Sequence, residues 1–278
     1  MKRVGRRLDT GKVVNVVLLS LYGLFIFFPM YWMITTALKG PQMVIKMPPE
    51  LFPKTMTLIN FERVLKTSKI LTWTVNTLIV ASAVTVGYTL FSTMSGYAFA
   101  QRQFPGRNIL FWLFISTLML PYFSYLVPLY LTVVDLRLVN KYWGMILPGL
   151  SGPFGVFLMK QSMTSFPSDL MQAAKIDGCN EFGGFLRVVV PVCKPAIVFL
   201  AVITFIGQWN NFLWPLIVTS SDKVRLLQVG IALFQQQNVS DFGQMMSAST
   251  LAALPVILLF LVFQRHIVGG ISIGAIKG

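Results

Sequence analysis

The 278-residue chain is 55% hydrophobic and only 12% charged, about half the charged fraction of a soluble domain. This excludes a water-soluble particle and makes lipid the solvent for much of its surface. Its formal charge of +14 arises from 23 Lys and Arg against 9 Asp and Glu, but the basic residues form no stripe interleaved with stacking aromatics, which excludes a nucleic-acid partner.

In chain order, the basic stretch Met1-Lys2-Arg3-Val4-Gly5-Arg6-Arg7 precedes an apolar run over 13–38. The run is too long for the h-region of a secretory signal, and no small-residue cleavage pattern follows it, so it reads as a retained first span. Five further stretches free of Asp, Glu, Lys, Arg and His follow at 70–101, 108–134, 142–159, 195–221 and 242–264. Crossing the hydrocarbon core takes about 20 residues at about 1.5 Å each. The expected fold is therefore all-α, a polytopic membrane protein with six transmembrane helices in one domain, 1–278. The fourth run is the shortest and is interrupted by Pro148, Gly149, Gly152 and Pro153. A kinked helix inside a bundle can re-satisfy the backbone groups freed at such a break.

The first twelve residues carry Lys2, Arg3, Arg6, Arg7 and Lys12, which places the N-terminus in the cytoplasm. Six spans then return the C-terminus to the same side. The loop 39–69 falls outside with six Lys or Arg of its own, against the positive-inside trend. It is longer and less densely basic, and it contains Pro41, Pro48, Pro49 and Pro53.

The loop 160–194 is expected in the cytoplasm. Ser165-Phe166-Pro167-Ser168-Asp169 ends one helix and starts another, with Asp169 as N-cap and Gln172 at the capping-box position. Leu170, Ala173, Ala174 and Ile176 give this short helix a small apolar face. Asp177-Gly178 is a turn signal, and Asn180 caps a second short helix. Both cysteines, Cys179 and Cys193, fall here and are expected as reduced thiols. From pattern alone this loop is either a docking point for another protein or a connection packed on its own bundle.

None of the six runs holds an ionisable residue of the kind that carries coupling charge in pumps. There is no GxxxxGK[ST] phosphate loop. A single histidine, His266, beside Arg265 at the end of the last run, reads as interfacial rather than catalytic. Neither a metal cluster nor an enzyme is expected, and energy for transport has to come from elsewhere.

The segment Asp169-Leu170-Met171-Gln172-Ala173-Ala174-Lys175-Ile176-Asp177-Gly178, followed by Val190-Pro191 and Lys194-Pro195-Ala196, resembles the "EAA" signature of binding-protein-dependent ABC importer permeases. Three further motifs resemble the carbohydrate-uptake branch, like the smaller permease of maltose-type systems. They are Tyr97-Ala98-Phe99-Ala100 with Phe104-Pro105-Gly106-Arg107, Trp209-Asn210-Asn211-Phe212-Leu213-Trp214-Pro215, and Leu251-Ala252-Ala253-Leu254-Pro255 with the glycine-rich tail 269–278. The resemblance covers almost the whole chain and implies a type I ABC importer permease in a bacterial cytoplasmic membrane. It implies partners as well: a second homologous permease, a cytoplasmic ATPase dimer that binds ATP and Mg, an extracytoplasmic solute-binding protein, membrane lipid and a sugar substrate. This chain itself would hold no cofactor.

By the same resemblance, Asp169, Gln172, Ala173, Ala174, Asp177 and Gly178 couple the chain to the ATPase. The family's usual Glu is Gln172 here, which can hydrogen-bond but cannot make a charge-assisted pair. Asn76, Trp209, Asn210 and Asn211 lie where the family lines its solute pathway. Read from the residues alone, such Asn side chains equally glue helices together, and Trp anchors an interface. Alternatives are the same machinery moving a glycerol phosphate ester or polyol, a secondary transporter or channel, and a membrane-embedded enzyme.

Overall fold

A computed structural model describes residues 10–40, 50–53, 55–164, 168–238 and 241–275, with the side chains of 10, 168, 169, 175 and 265–275 outside that description. The basic run 1–7, Pro41, Pro48, Pro49, the turn 165–167, the tail end 276–278 and the side chains of Asp169, Arg265 and His266 thus lie outside the described residues.

Three helices are long and apolar enough to cross a bilayer unbroken. They lie within α1 (Thr10–Ala37), α3 (Ile70–Gln101) and α14 (Phe242–Ala275), with α2 (Ile59–Thr67) preceding α3. The other apolar runs fold as bent pairs, giving three to six candidate spans. Among the described residues there is no strand.

The expected span 108–134 is not one helix. α4 (Arg107–Ser116) runs into a 3-10 turn, Thr117–Met119, and the chain turns by 102° into α5 (Tyr122–Asp135). The break falls at Pro121, whose ψ of 135° is extended and which has no N–H to continue the ladder. In the run 142–159, α6 (Tyr142–Ile146) and a 3-10 turn, Leu147–Gly149, meet α7 (Pro153–Thr164) at 42°. That break lies within the Pro/Gly interruption seen in the sequence. Beyond α7 come α8 (Ser168–Ile176), α9 (Glu181–Gly184), a π-helical turn Phe185–Val189 and α10 (Val190–Val192). A 77° bend then leads into α11 (Lys194–Trp209). The expected span 195–221 also divides, because α11 ends at Trp209 and α12 (Leu213–Val218) starts only after Asn210 and Asn211. α13 (Leu227–Gln237) completes the set.

The chain forms two compact units, Met1–Ser68 with Leu233–Leu251, and Lys69–Ala232 with Ala252–Gly278. In the first, Asn60 is fully buried and donates to the Ala37 and Lys39 carbonyls at 3.0 and 2.7 Å. It thereby satisfies groups at the C-terminal end of α1 that the helix leaves unpaired. Lys39 is also buried, its ammonium 4.4 Å from the centre of the Trp32 ring and donating to the Glu50 carbonyl at 2.6 Å. The apolar window of α1 itself has none of its residues buried, which leaves that surface for lipid or another chain.

In the second unit α3 packs along α7 and α11. Helices in lipid gain no hydrophobic drive from meeting, so close backbone approach at small residues supplies the attraction. At Gly96 of α3 an added Cβ would lie 2.8 Å from the Lys160 amide nitrogen of α7. Near the same seam the Gly155 N–H donates to the Tyr88 hydroxyl at 2.8 Å, and Gln101 donates to the Met163 carbonyl at 2.7 Å.

Candidate functional site

The segment 168–192 is built by local signals. α8 ends because Gly178 adopts a φ of +81°, in the left-handed region. The Cys179 N–H then reaches back to the Ala174 carbonyl at 2.9 Å, the six-to-one bond of a Schellman cap. Asn180 follows as N-cap, its Oδ1 accepting from the Gly183 N–H at 2.7 Å. Asp169 is the second residue of α8 and helical, not its N-cap as expected. The glycine is required by backbone conformation and not by crowding, since a Cβ on Gly178 would meet nothing within 4 Å.

The apolar face of α8 is not the expected one. Met171 and Ala174 point inward, while Leu170, Gln172, Ala173, Ile176, Asp177 and Gly178 are exposed. Ile176 is 87% exposed, an apolar side chain presented outward beside Ala173. Of the six coupling candidates, Gln172, Ala173, Asp177 and Gly178 share this outward surface, and Ala174 belongs to the anchor beneath it.

That anchor is what sequence reasoning missed. Met171 enters a core with Tyr97 of α3, Met159 and Met163 of α7, Phe185 of the π turn and Leu200 of α11. The rings of Tyr97 and Phe185 lie 5.0 Å apart. Beside them Arg102, just past the end of α3, pairs with Glu181 at the start of α9 and donates to the Tyr97 hydroxyl at 2.5 Å. The helix-end position of Arg102 gives no local signal for a partner so distant in sequence.

The polar candidates fall into two groups. Asn76 is buried and spent on structure: its Nδ2 donates to the Lys223 and Arg225 carbonyls at 3.0 and 2.9 Å, and its Oδ1 accepts from the Tyr142 hydroxyl at 2.8 Å. Trp209 is buried with its indole N–H donating to the Ala252 carbonyl at 3.2 Å. Both act as internal ties.

Asn210 and Asn211 are reachable. They lie where α11 stops, and Asn210 accepts from Gln228 at 3.4 Å while Asn211 approaches Gln208 at 3.5 Å. Gln208 also lines a cavity of about 320 Å³ with Tyr88, Ser151, Phe154, Thr204 and backbone at Gly149 and Gly207. The cavity lies at the break between α6 and α7. None of its lining residues is charged. Gln208, Gln228 and Tyr88 were not anticipated; Gln208 stands beside the Trp-Asn-Asn motif, whereas Gln228 and Tyr88 reach the site only through the fold.

Comparison with known proteins gives one family and consistent relatives. The family described as binding-protein-dependent transport system inner membrane component matches residues 89–272. The arabinooligosaccharides transport system permease protein AraQ of Bacillus subtilis is 32% identical, over 100% of each chain. The sn-glycerol-3-phosphate transport system permease protein UgpE of Salmonella typhi is 30% identical, over 88% of this chain and 90% of its own. A chain in the crystal structure of a bacterial ABC transporter involved in import of the acidic polysaccharide alginate superposes with a TM-score of 0.80. The match is 21% identical and covers 95% of this chain and 99% of that one.

Proposed function

Because the chain belongs to the family of binding-protein-dependent transport system inner membrane components, we propose that it is the permease of an ATP-driven importer moving a sugar or oligosaccharide across the cytoplasmic membrane. It works as one membrane domain beside a second, homologous permease. A cytoplasmic ATPase dimer that binds ATP and Mg docks on the outward face of α8, at Gln172, Ala173 and Asp177, with Gly178 setting the turn. An extracytoplasmic binding protein delivers the solute. The N- and C-termini share the cytoplasmic side with α8.

The observation that carries the sugar reading is the uncharged lining at the end of α11. Amide and hydroxyl groups of Gln208, Ser151 and Thr204, with the rings of Tyr88 and Phe154 and with Asn211 beside Gln208, suit hydroxyl-bearing solutes, which bind by hydrogen bonds and by stacking. A phosphate ester calls for cationic or charge-assisted donors, and the cavity lining supplies none. This favours oligosaccharides of the kind named for AraQ over the ester named for UgpE.

Affinity purification of the tagged chain in mild detergent tests the assembly, with an ATP-hydrolysing subunit and a second permease expected to accompany it. In proteoliposomes containing that complex and its binding protein, uptake of labelled arabino-oligosaccharide should require ATP and resist competition by glycerol 3-phosphate. Uptake blocked by glycerol 3-phosphate but not by unlabelled arabino-oligosaccharide would select the phosphate-ester alternative. A chain that purifies without any ATPase would contradict the importer reading.

A further inference from the structure

We propose that Arg102 is a positioning residue for energy coupling, holding Glu181, and with it the second helix of the 168–192 segment, on the cytoplasmic end of α3. The inference rests on the importer reading above and identifies how motion of that segment reaches the membrane helices.

Three observations converge. The guanidinium is shared between two elements, pairing with the Glu181 carboxylate on α9 and donating to the Tyr97 hydroxyl on α3 at 2.5 Å. Its carbonyl accepts from the Arg107 guanidinium at 2.9 Å, so the chain turn after α3 is itself braced. The contact between α9 and α3 is also discrete. A cavity of about 240 Å³, lined by Met94, Tyr97, Glu181, Phe182 and Phe185, lies between them. What bridges that space is the Arg102–Glu181 pair and the Tyr97–Phe185 ring contact. The Arg102–Glu181 pair is therefore the polar tie from α9 to α3, beside the apolar core that Tyr97 shares with Met171, Phe185 and Val189.

The π-helical turn Phe185–Val189 follows at once. Such turns occur often at functional sites, and this one separates the Glu181 end from the 77° bend into α11.

The pair is partly exposed, with side-chain accessibilities of 31% and 57%, so it adds little to folding stability and its removal spares assembly. Arg is suited to the role because its planar fork reaches two acceptors at once, which a lysine cannot reproduce.

The test uses the complete complex purified through this chain and reconstituted with its binding protein, with arabino-oligosaccharide uptake and phosphate release measured on the same vesicles. Glu181→Gln and Arg102→Met are expected to lower solute imported per ATP hydrolysed by about three- to fivefold, the scale of a partly exposed ion pair, while ATP hydrolysis continues. Arg102→Lys should fall between. The exchange Arg102→Glu with Glu181→Arg should restore much of the ratio, a rescue that loss of folding would not show. Single variants that assemble with a ratio within error of wild type, or an exchange that rescues nothing, would overturn the proposal. A wild-type complex that shows no ATP-driven uptake would instead bring down the importer reading on which it rests.

Discussion

Gly178 and Asn76 show how single residues set this site, one through backbone and one through hydrogen bonds. At a φ of +81° a non-glycine residue costs about 1–2 kcal/mol, with Asn the least disfavoured. The space around the position is open, so the penalty is conformational. Gly178→Asn should retain most transport, and Gly178→Leu should lower uptake several-fold at equal membrane abundance, measured as uptake per mole of complex. Asn76→Ala strands two carbonyls and a hydroxyl, at a cost of about 1–3 kcal/mol. A lowered unfolding temperature in detergent with unchanged solute affinity is expected. A lost affinity at unchanged stability would return Asn76 to the solute path. Gln172 is exposed, so Gln172→Glu should leave both assembly and uptake near wild type.

Among the elements, the seam between α3 and α7 depends on Gly96. Gly96→Val would drive a side chain against the Lys160 backbone, and such overpacking typically costs about 1–3 kcal/mol. Reduced thermal stability and reduced yield of the purified chain are expected. The apolar runs behind these helices were legible in the sequence, because length and absence of charge are sufficient marks of membrane exposure. The Asn180 cap and the Gly178 turn were legible too, because each is a local hydrogen-bonding or conformational requirement. The breaks were less so. Pro121 announces an interruption but not a 102° turn, since the angle depends on what the two halves pack against. The division of the apolar residues of α8 between two faces was not legible for a similar reason. Leu170, Ala173 and Ile176 form one apolar stripe and Met171 with Ala174 another, both at helical spacing, and only the core around Tyr97 and Phe185 selects the second. The Arg102–Glu181 pair and the meeting of Gln228 with Asn210 are long-range consequences of the fold that no spacing rule encodes.

At the scale of the whole molecule, the chain carries an uncharged cavity at a helix break, and on the proposed reading the energy for transport comes from a partner. The proposed entry point for work is α8, whose outward side chains are reachable and whose inward ones are locked into the core joining α3, α7 and α11. The most direct measurement places a cysteine at Ile176, the 87% exposed position, in a Cys179→Ser background. A short thiol-to-amine cross-linker applied to native membranes should join Ile176→Cys to an ATP-binding protein, identified by mass spectrometry, and the yield should change when ATP and vanadate are added. Labelling of that cysteine by a membrane-impermeant reagent on intact cells, with no cross-link to any nucleotide-binding subunit, would contradict the coupling role of α8.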